Sequence, residues 1–271
     1  MTIFLDIEKI VAIALAASEK VLSVYKSRDF QTTLKDDTTP LTRADQLSHD
    51  VICAALKEEF PDIPVISEES AATPFSIRKQ WQRFWLVDPL DGTKEFINRT
   101  AEFTVNIALI EAGRPVAGVV ALPAKGVLYF ALKGKGAFKQ AFAGSPEAIT
   151  VNTEPHEKLV LARSRSHSSL REQEIISLFG PVEEIAAGSS LKFCSVAEGE
   201  ADLYLRLGRT MEWDTAAGHC VVEQAGGKIF DITGESMLYN KEGLDNPGFF
   251  SIGGVTGLET RIKDHIRRRS E

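Results

Sequence analysis

The sequence predicts an α+β fold built as two lobes, and three patterns along the chain predict it. Residues 6–26 carry apolar side chains at the spacing of an amphipathic helix. The apolar stretches 103–110, 115–122 and 127–132 are separated by tight turns and are typical of antiparallel strands. After residue 148, short strand patterns alternate with helix patterns, which indicates layered strands and helices.

The composition is that of an ordinary globular enzyme. The chain has 271 residues, of which 44% are hydrophobic and 25% charged, and its length favours two lobes over one. The formal net charge of −7 argues against a nucleic-acid polymer as a partner. A small anionic ligand is still compatible with it, because bound metal ions can reverse the sign of the local field.

Cysteine usage and hydropathy predict a cytoplasmic protein. The three cysteines, Cys53, Cys194 and Cys220, are widely spaced and form neither a disulfide framework nor a zinc motif. Asp6 and Glu8 interrupt the start of the chain before a signal peptide can form. No apolar run is long enough to span a membrane.

The second helix is predicted to begin at Thr42 and to run toward Phe60. Asp45 lies in its first turn, where a carboxylate interacts favourably with the helix dipole. That structural role is one interpretation of Asp45. The next strand, at residues 65–66, ends at the adjacent acids Glu68 and Glu69, which are usually solvated in such a position.

The segment from Trp85 to Phe96 is the centre of the predicted site. Its apolar strand is expected to stop at Asp88, because Pro89 cannot donate to a sheet. Asp91 and Gly92 then form a turn before a new helix. The two aspartates thus lie at a strand-to-helix corner, where backbone amides favour an anion. Carboxylates repel a phosphate there unless a cation intervenes, which suggests a divalent metal; a turn without any ligand is the alternative.

The second half of the chain adds one more candidate acid. Glycine and proline between residues 141 and 148 predict the lobe boundary, with lobes at residues 1–145 and 146–271. A helix is predicted to open in the segment that begins at Met211 and to run through Gln224, and a simple N-cap role is one interpretation of Asp214. The small residues after Asp214 should let this helix approach another backbone closely.

Two strings carry a resemblance to a known family. Asp88-Pro89-Leu90-Asp91-Gly92-Thr93 resembles the signature of the inositol-monophosphatase superfamily of Mg²⁺-dependent, Li⁺-sensitive phosphatases. Trp213-Asp214-Thr215-Ala216-Ala217-Gly218, followed by Ala225-Gly226-Gly227, resembles its second signature. The resemblance implies a layered αβαβα sandwich with a metal site between the two lobes.

The resemblance also implies roles for individual residues. Two or more Mg²⁺ ions would be held by Glu68, Asp88, the Leu90 carbonyl, Asp91 and Asp214, an all-oxygen set that suits Mg²⁺ better than Zn²⁺. Thr93 and Asp45 would orient the attacking water and accept its proton. The substrate would contact Glu68, Leu90, Asp91, Gly92, Thr93, His167, Ser189, Ser190, Lys192 and Asp214. Glu212 would either tune the metal site indirectly or face the substrate.

Flanking segments are similar to bacterial 3′(2′),5′-bisphosphate nucleotidases within this superfamily, notably 164–167, 188–194 and 208–215. The resemblance implies hydrolysis of the 3′-phosphate of adenosine 3′,5′-bisphosphate, a by-product of sulfate activation, to AMP. Its sulfated analogue is a second expected substrate, and a homodimer and weak contact with the inner membrane face are further expectations.

Three other interpretations stay open on the sequence. The first is an inositol or other small phosphometabolite phosphatase. The second is a phosphometabolite sensor without turnover, although Thr93 and Asp45 are needed for hydrolysis only. The third is a membrane-surface protein that uses the basic residues 267–269, which otherwise form a solvated helix end.

Overall fold

The computed structural model describes residues 5–27, 30–34, 40–154, 156–164 and 169–268. The helices within these ranges are α1 Ile7–Ser27, α2 Arg43–Glu59, α3 Phe75–Arg78, α4 Thr93–Ile97, α5 Leu170–Ser177, α6 Leu191–Ala197, α7 Glu212–Gln224 and α8 Leu258–Arg268. The strands are β1 Thr33–Leu34, β2 Pro40–Leu41, β3 Val65–Ser67, β4 Arg83–Asp91, β5 Thr104–Glu111, β6 Arg114–Leu122, β7 Val127–Leu132, β8 Gly136–Ala141, β9 Glu147–Ile149, β10 Leu159–Arg163, β11 Val182–Ala186, β12 Leu203–Arg206, β13 Thr210–Met211, β14 Lys228–Asp231, β15 Asp245–Asn246 and β16 Phe249–Ile252.

Two large sheets organise the described residues. The first has seven strands in the order β3-β4-β5-β6-β7-β8-β9, and only the pair of β3 with β4 is parallel. The second has five strands in the order β11-β10-β12-β16-β14, with β10 parallel to both β11 and β12. The predicted antiparallel strands of the first half are therefore confirmed.

Helices cover both sheets, and the helices and sheets together form five layers. α1 and α2 pack on one face of the seven-stranded sheet, and α6 and α7 lie between the two sheets. The outer face of the five-stranded sheet packs against α5 and α8 through Ile175, Leu258 and Ile262. The predicted layered αβαβα sandwich is thus confirmed.

Small residues allow α7 to lie close to the first sheet. A Cβ atom at Gly118 on β6 would stand 2.7 Å from the Ala217 carbonyl oxygen and 2.8 Å from the Cys220 Cβ. At Gly218, a Cβ would overlap the Phe193 ring of α6, at 2.5 Å. The predicted close approach of this helix to another backbone is confirmed, with Gly118 as the partner that the sequence did not identify.

The structure corrects the predicted end of the central strand. β4 continues through Pro89 to Asp91, and its pairing with β5 shifts register between Asp88 and Asp91. Such an irregularity accommodates proline. Proline has no backbone N–H, and where the strand pairing is irregular no ladder hydrogen bond requires one. The seven-stranded sheet also includes β8 and β9, so the change from one sheet to the other falls after Ile149. The division of lobes at residue 145 stays a prediction.

Among the described residues, we find no helix with the length and apolar character needed to cross a membrane.

The contact between α7 and β6 leads to a stability prediction. Gly118→Ala should lower the free energy of unfolding by about 1–3 kcal/mol, because the new methyl group meets backbone atoms that cannot turn away. Denaturant unfolding followed by circular dichroism measures the change. Gly134→Asn is the control: Gly134 has φ +76° with nothing within 4 Å of the added Cβ, and asparagine tolerates that conformation. Equal stability of Gly118→Ala and wild type would contradict the close contact.

Candidate active site

The predicted metal ligands line one cleft between the two sheets. This cleft has a volume of about 560 Å³, and Glu68, Asp88, Leu90, Asp91, Gly92, Thr93 and Asp214 all contribute to its wall. Glu68 reaches it because β3 and β4 are parallel neighbours, with Ser67 paired to Val87. The predicted placement of Glu68 beside the end of the central strand is therefore correct.

The irregular end of β4 presents the two central aspartates. Asp88 is 1% exposed, and its Oδ1 accepts a hydrogen bond of 3.0 Å from the Leu90 amide. Ser48 of α2 donates to the Pro89 carbonyl at 2.7 Å and so ties the second helix to this turn. Gly92 follows with φ +88°, a left-handed conformation that glycine adopts without strain.

Asp214 is held at the start of α7. The helix N-cap is Met211, and Asp214 occupies the third helical position, where its Oδ2 accepts from the Met211 amide at 2.9 Å. The alternative interpretation of Asp214 as a simple N-cap is therefore wrong, since the N-cap lies three residues earlier. Its carboxylate still closes the first turn and still faces the cleft with the acids of the first sheet.

Two acids of the cleft, Asp88 and Asp214, have raised pKa values. Burial is the largest cause of the raised pKa of Asp88, and the charges of Glu68, Asp91 and Asp214 add to it. Burial and then Asp91 and Glu68 raise the pKa of Asp214 well above its ordinary value, against a lowering effect of the Met211 amide. Such a group of carboxylates needs either protons or cations to become stable.

The donor set fits a hard divalent cation. The oxygens of Glu68, Asp88, Leu90, Asp91 and Asp214 surround the cleft, and carboxylates and carbonyls are the ligands that Mg²⁺ accepts. No group of three or more Asp, Glu, His or Cys side chains within the described ranges already has metal-binding geometry. A cation would therefore have to draw these carboxylates closer together than they stand.

Thr93 and Asp45, the predicted catalytic pair, come from different helices and meet in space. Thr93 Oγ1 lies 3.4 Å from Asp45 Oδ1 and 3.4 Å from the Leu90 carbonyl oxygen. Thr42 donates to Asp45 Oδ2 from its amide at 2.7 Å and its hydroxyl at 2.6 Å. Burial nevertheless raises the pKa of Asp45 to about 6. Asp45 thus keeps its predicted first-turn position and also reaches the Thr93 hydroxyl.

Ser189, Ser190 and Lys192, predicted to contact substrate, make internal hydrogen bonds. The Ser189 hydroxyl donates to Asp91 Oδ2 at 2.5 Å, and Ser190 Oγ lies 3.2 Å from the same oxygen and 2.9 Å from the Asp214 carbonyl oxygen. The Lys192 ammonium donates to the Ser189 carbonyl at 2.6 Å and to the Ala187 carbonyl at 3.3 Å. These residues line a smaller pocket of about 180 Å³ beside the cleft, and their contact with substrate stays a prediction. His167, the other predicted contact, lies outside the described residues.

Two arginines that the sequence analysis did not single out line both pockets. Arg206 ends β12, and Arg209 follows in the loop that leads to α7. The backbone of Gly208 covers the Arg206 guanidinium, since a Cβ there would lie 3.1 Å from Arg206 Cζ. Lys94 adds a third cation to the wall. A signal was present in the sequence, because Arg206 and Arg209 lie between a predicted strand and the Asp214 helix.

Glu212 does not face the substrate, one of the two roles predicted for it; indirect tuning of the metal site stays a prediction. It is fully buried and bonds the loop before β15, accepting from the Asn240 and Lys241 amides at 2.8 Å and 3.0 Å. The Lys241 ammonium completes the arrangement with a 2.6 Å contact to Glu212 Oε1. Arg78 binds the same loop through the Asn240 side chain and the Lys241 and Glu242 carbonyls. Glu212 therefore anchors the start of α7 instead of facing the substrate.

This buried pair generates a second stability prediction. Lys241→Ala should cost about 3 kcal/mol of folding free energy, because it leaves the Glu212 carboxylate buried without its cation. Lys228→Ala is the matched control, since Lys228 pairs with Glu259 at the surface and should change stability by less than about 1 kcal/mol. Urea unfolding of both variants makes the comparison. Equal losses would show that Glu212 does not depend on Lys241.

We compared the chain with protein-family models and with known proteins. The model of the inositol monophosphatase family matches residues 6–252. The 3′(2′),5′-bisphosphate nucleotidase CysQ of Salmonella typhimurium is 44% identical over 245 residues, which cover 90% of this chain and 98% of that protein. CysQ of Haemophilus influenzae is 38% identical and is covered to 88%.

Solved structures agree with this relationship. The crystal structure of CysQ from Bacteroides thetaiotaomicron, 39% identical, superposes with a TM-score of 0.82 and covers 93% of this chain and 99% of its own. The IMPase of Thermotoga maritima, 22% identical with a TM-score of 0.77, shares the fold. The family model and these relatives together show that the chain belongs to the inositol monophosphatase family.

Proposed function

We propose that this protein is a metal-dependent phosphomonoesterase that removes the 3′-phosphate of adenosine 3′,5′-bisphosphate, yielding AMP and phosphate. The observation that carries the proposal is one cleft shared by Glu68, Asp88, Asp91 and Asp214 and by the Thr93–Asp45 pair. The named activity of relatives 44% identical over almost their whole length supports this substrate. The sulfated analogue, adenosine 3′-phosphate 5′-phosphosulfate, is proposed as a second substrate.

The proposed cofactor is Mg²⁺, with two or more ions bound by Glu68, Asp88, the Leu90 carbonyl, Asp91 and Asp214. When bound, such ions polarise the phosphate, acidify a water and stabilise the leaving oxygen. The raised pKa values of Asp88 and Asp214 support a cation requirement, because their charged forms are unfavourable without one.

The chain's own residues supply position and proton transfer. We propose that the Gly92 and Thr93 amides bind oxygens of the reacting phosphate, where Gly92 permits the close turn of the backbone. The Thr93 hydroxyl orients the attacking water, and Asp45 Oδ1 receives the proton. A carboxylate with a pKa of about 6 suits this task, because it is ionised at neutral pH and still basic.

Cations outside the acidic group favour a substrate with a second phosphate. Arg206, Arg209 and Lys94 line the cleft beside the acids, and Lys192 lines the adjoining pocket. A guanidinium can bind a phosphate through two parallel hydrogen bonds. An inositol monophosphate has a single phosphate, and the metal ions would already bind it. The arginine and lysine side chains would then have no phosphate to bind, so they favour the bisphosphate as substrate.

Other expectations from the sequence stay predictions. These are the cytoplasmic location, the homodimer, the weak membrane contact and Li⁺ sensitivity. The non-catalytic sensor is disfavoured by the meeting of Thr93 with Asp45, since binding alone does not require that pair.

Turnover of defined substrates tests the proposed function. Purified protein should release phosphate from adenosine 3′,5′-bisphosphate in Mg²⁺ and should release almost none with excess chelator. Its kcat/KM for the bisphosphate should exceed that for inositol 1-phosphate by at least about 100-fold, the equivalent of roughly 3 kcal/mol. A preference for inositol 1-phosphate would reject the nucleotide assignment and leave the phosphatase assignment intact.

Arg209→Ala provides the internal comparison for the second phosphate. Loss of the Arg209 guanidinium should raise KM for the bisphosphate by about tenfold. KM for 3′-AMP, which lacks the 5′-phosphate, should not change. Equal effects on both substrates would indicate that Arg209 does not read the second phosphate.

The Thr93–Asp45 pair leads to a pH prediction. Asp45 accepts a proton only as a carboxylate, so kcat/KM should fall about tenfold per unit as the pH drops below about 6. Bound Mg²⁺ would offset the charges of Glu68 and Glu69, but these are smaller causes of the shift than burial. The acid limb should therefore stay above the ordinary pKa of 3.8.

Variants of Thr93 check the same step. Thr93→Ala should lower kcat by about 10²–10⁴-fold with little change in Mg²⁺ binding, whereas Thr93→Ser keeps the hydroxyl and should retain most activity. Stopped assays across pH 4–9 on both variants give the comparison. Wild-type kcat in Thr93→Ala would remove Thr93 from the proposed mechanism.

A further inference from the structure

The loop between β11 and α6 touches predicted metal ligands from both halves of the chain. Ser189 Oγ lies 2.5 Å from Asp91 Oδ2, and Ser190 Oγ lies 3.2 Å from the same oxygen. Ser190 Oγ also lies 2.9 Å from the carbonyl oxygen of Asp214 at the start of α7. Two adjacent hydroxyls thus join the end of β4 to the first turn of α7.

Two residues of strand β5 make hydrogen bonds with these serine hydroxyls. Thr104 Oγ1 lies 2.5 Å from Ser189 Oγ, and Asn106 Nδ2 donates to Ser190 Oγ at 3.0 Å. Thr104 and Asn106 are two residues apart on one strand, so their side chains share one face of the sheet. Both are almost fully buried, at 0% and 1% exposure.

Counting hydrogens fixes the direction of these bonds. The Asp91 carboxylate only accepts, so the Ser189 hydroxyl must donate to it. Ser189 then has no hydrogen left for Thr104, and Thr104 must be the donor in their contact. The result is a directed chain from Thr104 through Ser189 to Asp91. Each hydrogen bond strengthens the next one, since hydrogen bonds in such a chain polarise one another.

The backbone of the loop is held in the conformation that this arrangement needs. Ser189 has φ +50°, which non-glycine residues rarely adopt and which the surroundings must impose. Lys192 donates to the Ser189 carbonyl at 2.6 Å. The Gly188 amide donates to Glu102 Oε2 at 3.0 Å. The serine hydroxyls are therefore placed by contacts that do not involve a ligand.

We propose that Ser189 and Ser190, supported by Thr104 and Asn106, are positioning residues that hold Asp91 and the Asp214 turn in register for cation binding. The inference rests on the proposed metal-dependent function and names residues that set its metal affinity. Both serines bond Asp91 at Oδ2, so neither occupies Oδ1. Direct contact with the substrate, the role predicted from the sequence, is the competing assignment.

Cation binding without substrate tests this proposal on the full chain. Free Mn²⁺, a hard divalent cation that oxygen ligands accept, is titrated with protein and followed by electron paramagnetic resonance. Ser189→Ala and Thr104→Val should each weaken Mn²⁺ binding by roughly 10- to 100-fold, the usual effect of losing a group that orients a ligand. Thr104→Ser keeps the donor and should bind almost as wild type does. Ser23→Ala, on the exposed side of α1, is the unrelated control.

The double variant distinguishes a chain from separate contacts. Because Thr104 acts through Ser189, Thr104→Val should add little to Ser189→Ala in the double variant, whereas independent contacts would give additive losses. Additive losses would overturn the directed chain. Circular dichroism without cation checks folding. Where Ser189→Ala does not fold, Ser190→Ala combined with Asn106→Ala gives the equivalent test, because Asn106 donates to Ser190.

The competing assignment has its own signature. If Ser189→Ala bound Mn²⁺ as wild type does but raised KM for adenosine 3′,5′-bisphosphate, the positioning role would be rejected in favour of substrate contact. A wild-type protein that binds Mn²⁺ without hydrolysing the bisphosphate would refute the proposed function and leave the positioning result standing. A wild-type protein that binds no Mn²⁺ would overturn both.

Discussion

The repulsion among carboxylates in one partly buried cleft is the constraint on which the rest of the site depends. Asp88 is almost fully buried, and burial together with Glu68, Asp91 and Asp214 makes its charged form unfavourable. A fold tolerates such a cost when function requires it, because perturbed acids cluster where chemistry occurs. Each acid is held by a neighbouring donor, such as the Leu90 amide for Asp88 and the Met211 amide for Asp214. These donors fix the carboxylates without neutralising them, so the cleft keeps its acidic character.

Bringing Asp214 to the other acids is a packing problem that small residues solve. Asp214 lies at the start of α7, a helix placed between the two sheets. Its position depends on Gly118, where any side chain would overlap the helix backbone at Ala217. At the other end of the turn, Glu212 and Lys241 fasten the helix start to the loop before β15. The helix is thus located by contact on one side and by a buried ion pair on the other.

The sequence predicted the layered fold and named acids that the structure places in one cleft, because strand patterns, helix starts and signature strings are local features. It misplaced features that depend on three-dimensional contacts. Pro89 does not end β4, since irregular pairing with β5 absorbs it. Glu212 was expected to tune the metal site indirectly or to face the substrate, and the structure places its carboxylate against Lys241. The role of Arg206 also depends on a cleft wall that forms only when β12 and the β4 corner meet.

The distribution of charge in the cleft explains how one site can suit both a cation and a phosphorylated substrate. Acids that follow β3, end β4 and open α7 line the cleft together with Arg206, at the end of β12, and Arg209, in the segment that leads to α7. A substrate with two phosphates would bind cations at the acids through one phosphate and the arginines through the other. In a partly buried cleft these opposite charges are weakly screened. Arrangement of charge along the wall, rather than net charge, therefore favours a substrate with two phosphates over one with a single phosphate.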